Sequence, residues 1–208
     1  MFLEYLSRIS PDKPQLIEQF DLYHRVLLET NQKVNLISRQ TEPELYWTFH
    51  FLDSLLPLSL GFDFNDKIVL DLGSGGGLPG IPLAIANPQG CYVLMDSREK
   101  KVLELKNMIK LLDLNNCYPI SKRLEEFKWS DLDRIKKGIK SFDCIVCRSV
   151  KITPKLLKKM KDLLSEEGFI LLYKGKVIEE SWLLTSAVTT ITGLHPWGER
   201  TFIKINKI

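Results

Sequence analysis

Residues 69–80 read Val-Leu-Asp-Leu-Gly-Ser-Gly-Gly-Gly-Leu-Pro-Gly. An apolar run, Ile68 to Leu72, leads straight into glycines at 73, 75, 76 and 77, and a second apolar run starts at Ile81. The spacing predicts a buried strand that turns sharply into a helix. Glycine serves such a turn because a side chain would block close approach of the backbone to a ligand at the helix start. Open sheets of parallel strands carry turns of this kind and bind ligands at the carboxyl ends of their strands. The turn alone does not choose the ligand. Dinucleotide folds use similar glycines, and a tight turn can be purely structural.

The rhythm after Lys67 supports an open sheet. Cys91–Met95, Cys117–Ser121, Phe142–Cys147 and Phe169–Tyr173 read as strands, and Ala187–Ile191 and Phe202–Ile205 as late strands, a hairpin being one option. Between them Ile81–Ala86, Arg98–Leu112 and Pro154–Leu164 read as helices; the last carries Leu156, Leu157, Met160, Leu163 and Leu164 on one face. Alternation of this kind predicts a parallel sheet covered on both faces. The first sixty residues show no strand pattern. Pro14 suits the first turn of a helix, Leu16, Ile17, Phe20, Tyr23 and Leu27 recur at helical spacing, and Glu44–Leu56 reads as a second helix. Residues 1–60 are expected to form a helical extension and 61–208 the α/β domain.

Composition narrows the class. With 26% charged and 44% hydrophobic residues in 208, the chain is neither disordered nor fibrous. Four cysteines are too few for a disulfide scaffold. The longest uncharged stretch, Leu72 to Met95, holds six glycines and three prolines, so it is not read as a membrane span. No metal cluster is visible. The expectation is a soluble cytoplasmic protein, a monomer by default, with no membrane or metal partner. Charge is uneven: residues 1–60 hold 5 basic and 8 acidic residues, residues 100–176 hold 19 and 10. That basic stretch suits a polyanion or a solvated lysine surface equally.

Two acids sharpen the ligand. Asp71 precedes the glycines. Asp96 ends the second strand, where a carboxylate can accept both hydroxyls of a ribose. A pyrophosphate would be repelled by Asp71, whereas a sulfonium or amine would not, so the pattern leans to S-adenosylmethionine (SAM) over a nicotinamide dinucleotide. An oxidoreductase and a non-catalytic RNA-binding module with a vestigial pocket are the rival readings. Cys144 and Cys147 have CxxC spacing within a strand and read as structural. His50 and Asp53 either face the pocket or pack and cap a helix. Trp129, Trp182 and Trp197 either stack bases or pack.

Six ordered blocks resemble the RsmG (GidB) family, bacterial methyltransferases that modify guanine N7 in 16S ribosomal RNA. They are Lys33-Val-Asn-Leu-Ile-Ser38, His50-Phe-Leu-Asp-Ser54, Asp71 to Ile81, Asp96-Ser97 with Lys100-Lys101, Cys147-Arg-Ser-Val150 and Lys174-Gly175. The resemblance covers nearly the whole chain. Gly76, Leu78 and Ser149 stand where the family often has Ala, Phe and Ala. The resemblance implies a Rossmann-like SAM-dependent methyltransferase fold: a seven-stranded, mostly parallel sheet whose last strand is antiparallel. It implies that Gly73, Gly75, Leu78, Asp96, Leu124, Glu125 and Arg148 bind the cofactor. Arg148 would hold either the methionine carboxylate or an RNA phosphate. Arg123 and Lys174, with Arg148, would meet 16S ribosomal RNA or the small ribosomal subunit, with Arg98, Lys100 and Lys176 as further contacts. Guanine N7 offers a free lone pair and loses no proton, so no general base is expected. Arg148 is the nearest candidate to the reacting centre.

Overall fold

The computed structural model describes residues 2–9, 15–175, 177–180, 182–183, 188–195 and 198–207, with backbone alone for 188–195 and 198–199. Pro14, Lys176, Ala187 and Trp197 lie outside the described residues. Seven strands form one sheet: β1 (Ile68–Leu72), β2 (Cys91–Asp96), β3 (Cys117–Ser121), β4 (Phe142–Arg148), β5 (Leu164–Lys174), β6 (Val188–His195) and β7 (Gly198–Asn206). Their order is β3-β2-β1-β4-β5-β7-β6. Strands β1 to β5 pair in parallel, and β7 runs antiparallel to both β5 and β6. This is the expected architecture. The chain moves outward from β1 to β3, then returns to lay β4 on the other side of β1. The crevice at that reversal, above the ends of β1 and β4, is where an open α/β sheet binds its ligand.

Helices α4 (Gly80–Ala86), α5 (Glu99–Leu111), α6 (Trp129–Asp133) and α7 (Pro154–Leu163) connect the strands. Ahead of the sheet stand α1 (Phe2–Ile9) and α2 (Gln15–Lys33). The single helix expected over Glu44–Leu56 is instead a short 3₁₀ turn at Pro43–Leu45, a π-helical turn at Trp47–Leu52, and α3 (Asp53–Ser59). Trp47 and Phe51 pack edge-on to each other and both meet the Phe2 ring from α1. A π turn is a local departure of the kind often found at functional sites, and this one carries His50.

Strand β5 starts directly after α7, five residues before the expected Phe169. Leu164 pairs with Phe142, and the register then shifts before Cys144 meets Phe169. Polar Ser165, Glu166 and Glu167 within that irregular stretch hide the strand from a pattern of apolar residues. The helical extension does not pack by itself. Leu16, Phe20, Tyr23, Leu27, Phe51 and Leu55 belong to the same buried cluster as Val69, Ile81, Leu94 and Val146 of the α/β part. A second cluster covers the other sheet face, where Leu156, Met160 and Leu163 of α7 meet Leu70, Ile145 and Ile170. The inward face expected for α7 is the buried one.

Candidate active site

The turn after β1 is held from below. Gly73 and Ser74 both donate backbone N–H to the Met95 carbonyl of β2, at 2.8 and 3.0 Å. Gly73 sits at φ +79°, and a Cβ there would stand 2.5 Å from Val150 Cγ2. Gly75, at φ +54°, donates its N–H to Asp96 Oδ2 at 3.0 Å, and Arg98 donates its N–H to Asp96 Oδ1 at 2.9 Å. Two backbone amides therefore aim the Asp96 carboxylate along the turn.

Asp71 does something other than face a ligand. Its side chain is fully buried beneath the loop, and its Oδ2 accepts the Gly80 N–H at 2.9 Å, at the start of α4. Ser74 Oγ donates to its main-chain carbonyl at 3.0 Å. Alternation along β1 turns this side chain inward, toward the helix that follows. Burial pushes its pKa up to about 6. Asp71 therefore braces the start of α4 from beneath the loop and does not select the ligand by its charge.

A cleft of about 790 Å³ opens over the ends of β1 and β4. Gly73, Gly75, Leu78, Asp96, Arg123, Leu124, Glu125 and Arg148 all line it. Lys174 does not: its ammonium donates to both carboxylate oxygens of Glu180 at 2.8 Å, and Glu180 also accepts the Ile152 N–H. The strand-end position pointed toward the cleft, but this local acid holds the lysine elsewhere. His50 and Asp53 line the cleft as well. Asp53 is 2% exposed and bridges two guanidiniums: Arg148 donates Nη1 to its Oδ2 at 2.9 Å, and Arg200 of β7 donates Nη2 to the same oxygen. Arg148 also reaches the Phe49 carbonyl at 3.4 Å. Burial, then the Arg148 charge, lowers the His50 pKa to about 4, so its ring is neutral at pH 7.

Residue-level reasoning missed two parts of the wall. Asn35, Leu36, Ile37 and Ser38 close one side, and Arg200 stands on the other. Asn31 Oδ1 accepts N–H bonds from Leu36 and Ile37 at 2.8 and 3.0 Å, and Lys101 donates to the Leu36 carbonyl at 3.1 Å. The block Lys33–Ser38 was visible as a motif, although nothing in its pattern disclosed a role. Arg200 lies in a strand whose pattern shows only the run Phe202–Ile205. Arg98, Lys101, Lys122, Arg123, Arg148, Lys151 and Arg200 face Asp53, Asp96 and Glu125, so the cleft is basic.

Other singled-out residues fall away. Cys144 and Cys147 are buried in β4, and burial pushes both thiols up, Cys147 to about 12. Trp129 packs on Phe127 and Phe142. Among the described residues no group of three or more His, Cys, Asp or Glu could hold a metal ion.

The profile of the rRNA small subunit methyltransferase G family (GidB) matches residues 16–198. The chain belongs to this family. Among its GidB relatives is the "Ribosomal RNA small subunit methyltransferase G" of Desulfitobacterium hafniense (strain Y51), 37% identical over 177 residues, which are 85% of this chain and 70% of that protein. The Helicobacter pylori (strain J99) protein of the same name is 36% identical over 76% of this chain and 81% of its own length. The GidB match spans both the helical extension and the α/β part. Solved structures agree on the fold. A SAM-dependent methyltransferase from Aquifex aeolicus superposes with a TM-score of 0.57 at 13% identity, covering 79% of this chain and 94% of that one. A precorrin-6y C5,15-methyltransferase from Geobacter metallireducens gives 0.55 at 14% identity, covering 73% and 85%. This GidB chain therefore has the fold of SAM-dependent methyltransferases.

Proposed function

We propose that the protein transfers the methyl group of SAM to N7 of a guanine in 16S ribosomal RNA, acting as a monomer in the cytoplasm. Membership of the family and the names of its relatives support the substrate class. One structural observation carries the reading: a glycine turn with an amide-anchored Asp96 shares its cleft with the basic cluster around Arg148.

The residues present fit the cofactor. The cleft volume falls within the range of small-molecule sites. Asp96 stands ready to accept a ribose diol, while Leu78 and Leu124 give apolar walls suited to a purine. Glu125 supplies an acceptor for an amino group. When bound, SAM supplies a methyl whose bond to sulfur breaks as the bond to N7 forms, the positive charge passing from sulfur to the purine ring. No proton leaves N7, so the chain needs no base. Arg148 is held by Asp53 and the Phe49 carbonyl, which fixes its position, and it is read as a contact to cofactor carboxylate or RNA phosphate. Arg123 is read as a contact to RNA, and Lys174 as an indirect support through Glu180. Catalysis then consists of holding the two reactants in line, which is worth about 7–11 kcal/mol in favourable cases. The 1–60 extension acts with the 61–208 methyltransferase domain, since residues 35–38 wall the same cleft. No helix among the described residues is long and apolar enough to cross a membrane.

The test is transfer of a labelled methyl from SAM to small ribosomal subunits lacking the modification, followed by nucleoside analysis. Label in 7-methylguanosine is expected. SAM binding without transfer would overturn the substrate, and absence of SAM binding would overturn the cofactor.

A further inference from the structure

Helix α7 begins at the rim of the cleft, which Lys151 and Leu156 help to line. Lys155, Lys158 and Lys161 follow at intervals of three, so they neighbour one another along the helix surface in a strip about 9 Å long. None of the three forms a salt bridge among the described residues. Beside the strip lies a second groove of about 410 Å³, lined by Leu157, Lys158, Lys161, Trp182 and Lys207, with Asp162 as its one acid. Lys207 donates its ammonium to the Leu164 carbonyl, which fixes a further positive charge in the groove. An apolar wall of Leu157 and Trp182 next to unpaired ammoniums suits a nucleic-acid strand, with base or ribose on the wall and phosphates on the lysines.

Resting on the reading of an RNA substrate, we propose that α7 and this groove form a second contact surface, which binds the RNA strand running on from the target guanine. Lys151, which lines the cleft, precedes α7 by three residues, so the strip starts close to the rim along the chain. Phosphates of the flanking nucleotides are the occupant with matching charge. Ammonium groups on flexible stems hold phosphate without reading sequence. The surface therefore adds affinity and orientation to a target that the cleft itself selects.

The triple variant Lys155→Gln, Lys158→Gln, Lys161→Gln tests this. The Michaelis constant for small subunits and the affinity for protein-free 16S RNA are measured at several salt concentrations, beside the SAM affinity. The variant is expected to raise that constant at least fivefold, to weaken RNA binding, and to reduce the slope of log affinity against log salt by about 2–3. SAM affinity should stay within twofold. An unchanged Michaelis constant and salt slope overturns the proposal. So does a defect on subunits with RNA affinity unchanged, which would assign the strip to a ribosomal protein. An equal loss in the charge-matched variant Lys106→Gln, Lys110→Gln, Lys140→Gln, at exposed positions that line neither groove, would reduce the effect to net charge and overturn it too. If the unmodified protein methylates no RNA, the functional reading falls and this inference with it.

Discussion

At the scale of single residues, the site rests on a few atoms with little tolerance. Valine at 73 would need a positive φ that a β-branched residue avoids, and its Cβ would meet Val150 at 2.5 Å. Gly73→Val is expected to lower SAM affinity at least tenfold, about 1.4 kcal/mol, in a calorimetric titration; wild-type affinity would remove the turn from the binding site. Two buried groups give opposed pH responses. Asp71 has its pKa raised to about 6, so its contribution to stability is present below about 4 and is lost as pH rises through 6. His50 is lowered to about 4, so its contribution is present above about 6.5 and is lost as pH falls through 4. Between pH 4 and 6 the two slopes oppose each other. Asp71→Asn keeps an acceptor for Gly80 and removes one slope. Its stability relative to wild type, from urea melts, should therefore climb with pH across that window. A flat difference would mean that Asp71 titrates normally.

At the scale of elements, the strand–turn–helix alternation was legible because buried strands and amphipathic helices write different periods. Strands β1 and β3 match their expected bounds at both ends. The irregular parts were not legible: no period marks a π turn, and the polar beginning of β5 mimics a loop. Asp71 was placed correctly at the end of β1, but one sequence cannot tell a carboxylate that faces a ligand from one that caps the next helix. The role of α2 was hidden for a related reason, since its partner lies 53 positions away: Tyr23 donates its hydroxyl to the Gly76 carbonyl at 2.8 Å. Through that bond a helix of the extension steadies the glycine turn. Tyr23→Phe leaves a buried carbonyl without its donor, which costs about 1–3 kcal/mol. Lower stability and several-fold weaker SAM binding are expected, from denaturation and calorimetry on the same variant. Loss of stability with SAM binding intact would uncouple α2 from the turn.

At the scale of the whole molecule, the cleft is assembled from segments far apart in sequence. Asp53 comes from the helical extension, Arg148 from the middle of the sheet and Arg200 from β7. Removing the shared carboxylate leaves two largely buried guanidiniums uncompensated. Asp53→Ala is expected to cost about 3–5 kcal/mol in a urea melt, and a loss under 1 kcal/mol would show that water replaces the carboxylate. The partners Asp53 and Arg200 are separated by 147 positions. Chains leave the ribosome at about 5–20 residues per second and begin folding from the amino end. Asp53 and Arg148 are thus synthesised well before Arg200, and the cleft lacks its Arg200 wall until β7 pairs with β5. A nascent chain lacking that strand has the glycine turn and Asp96 but an unfinished wall. The cleft that would grip the RNA is complete only once β7 has followed every other strand of the sheet out of the ribosome.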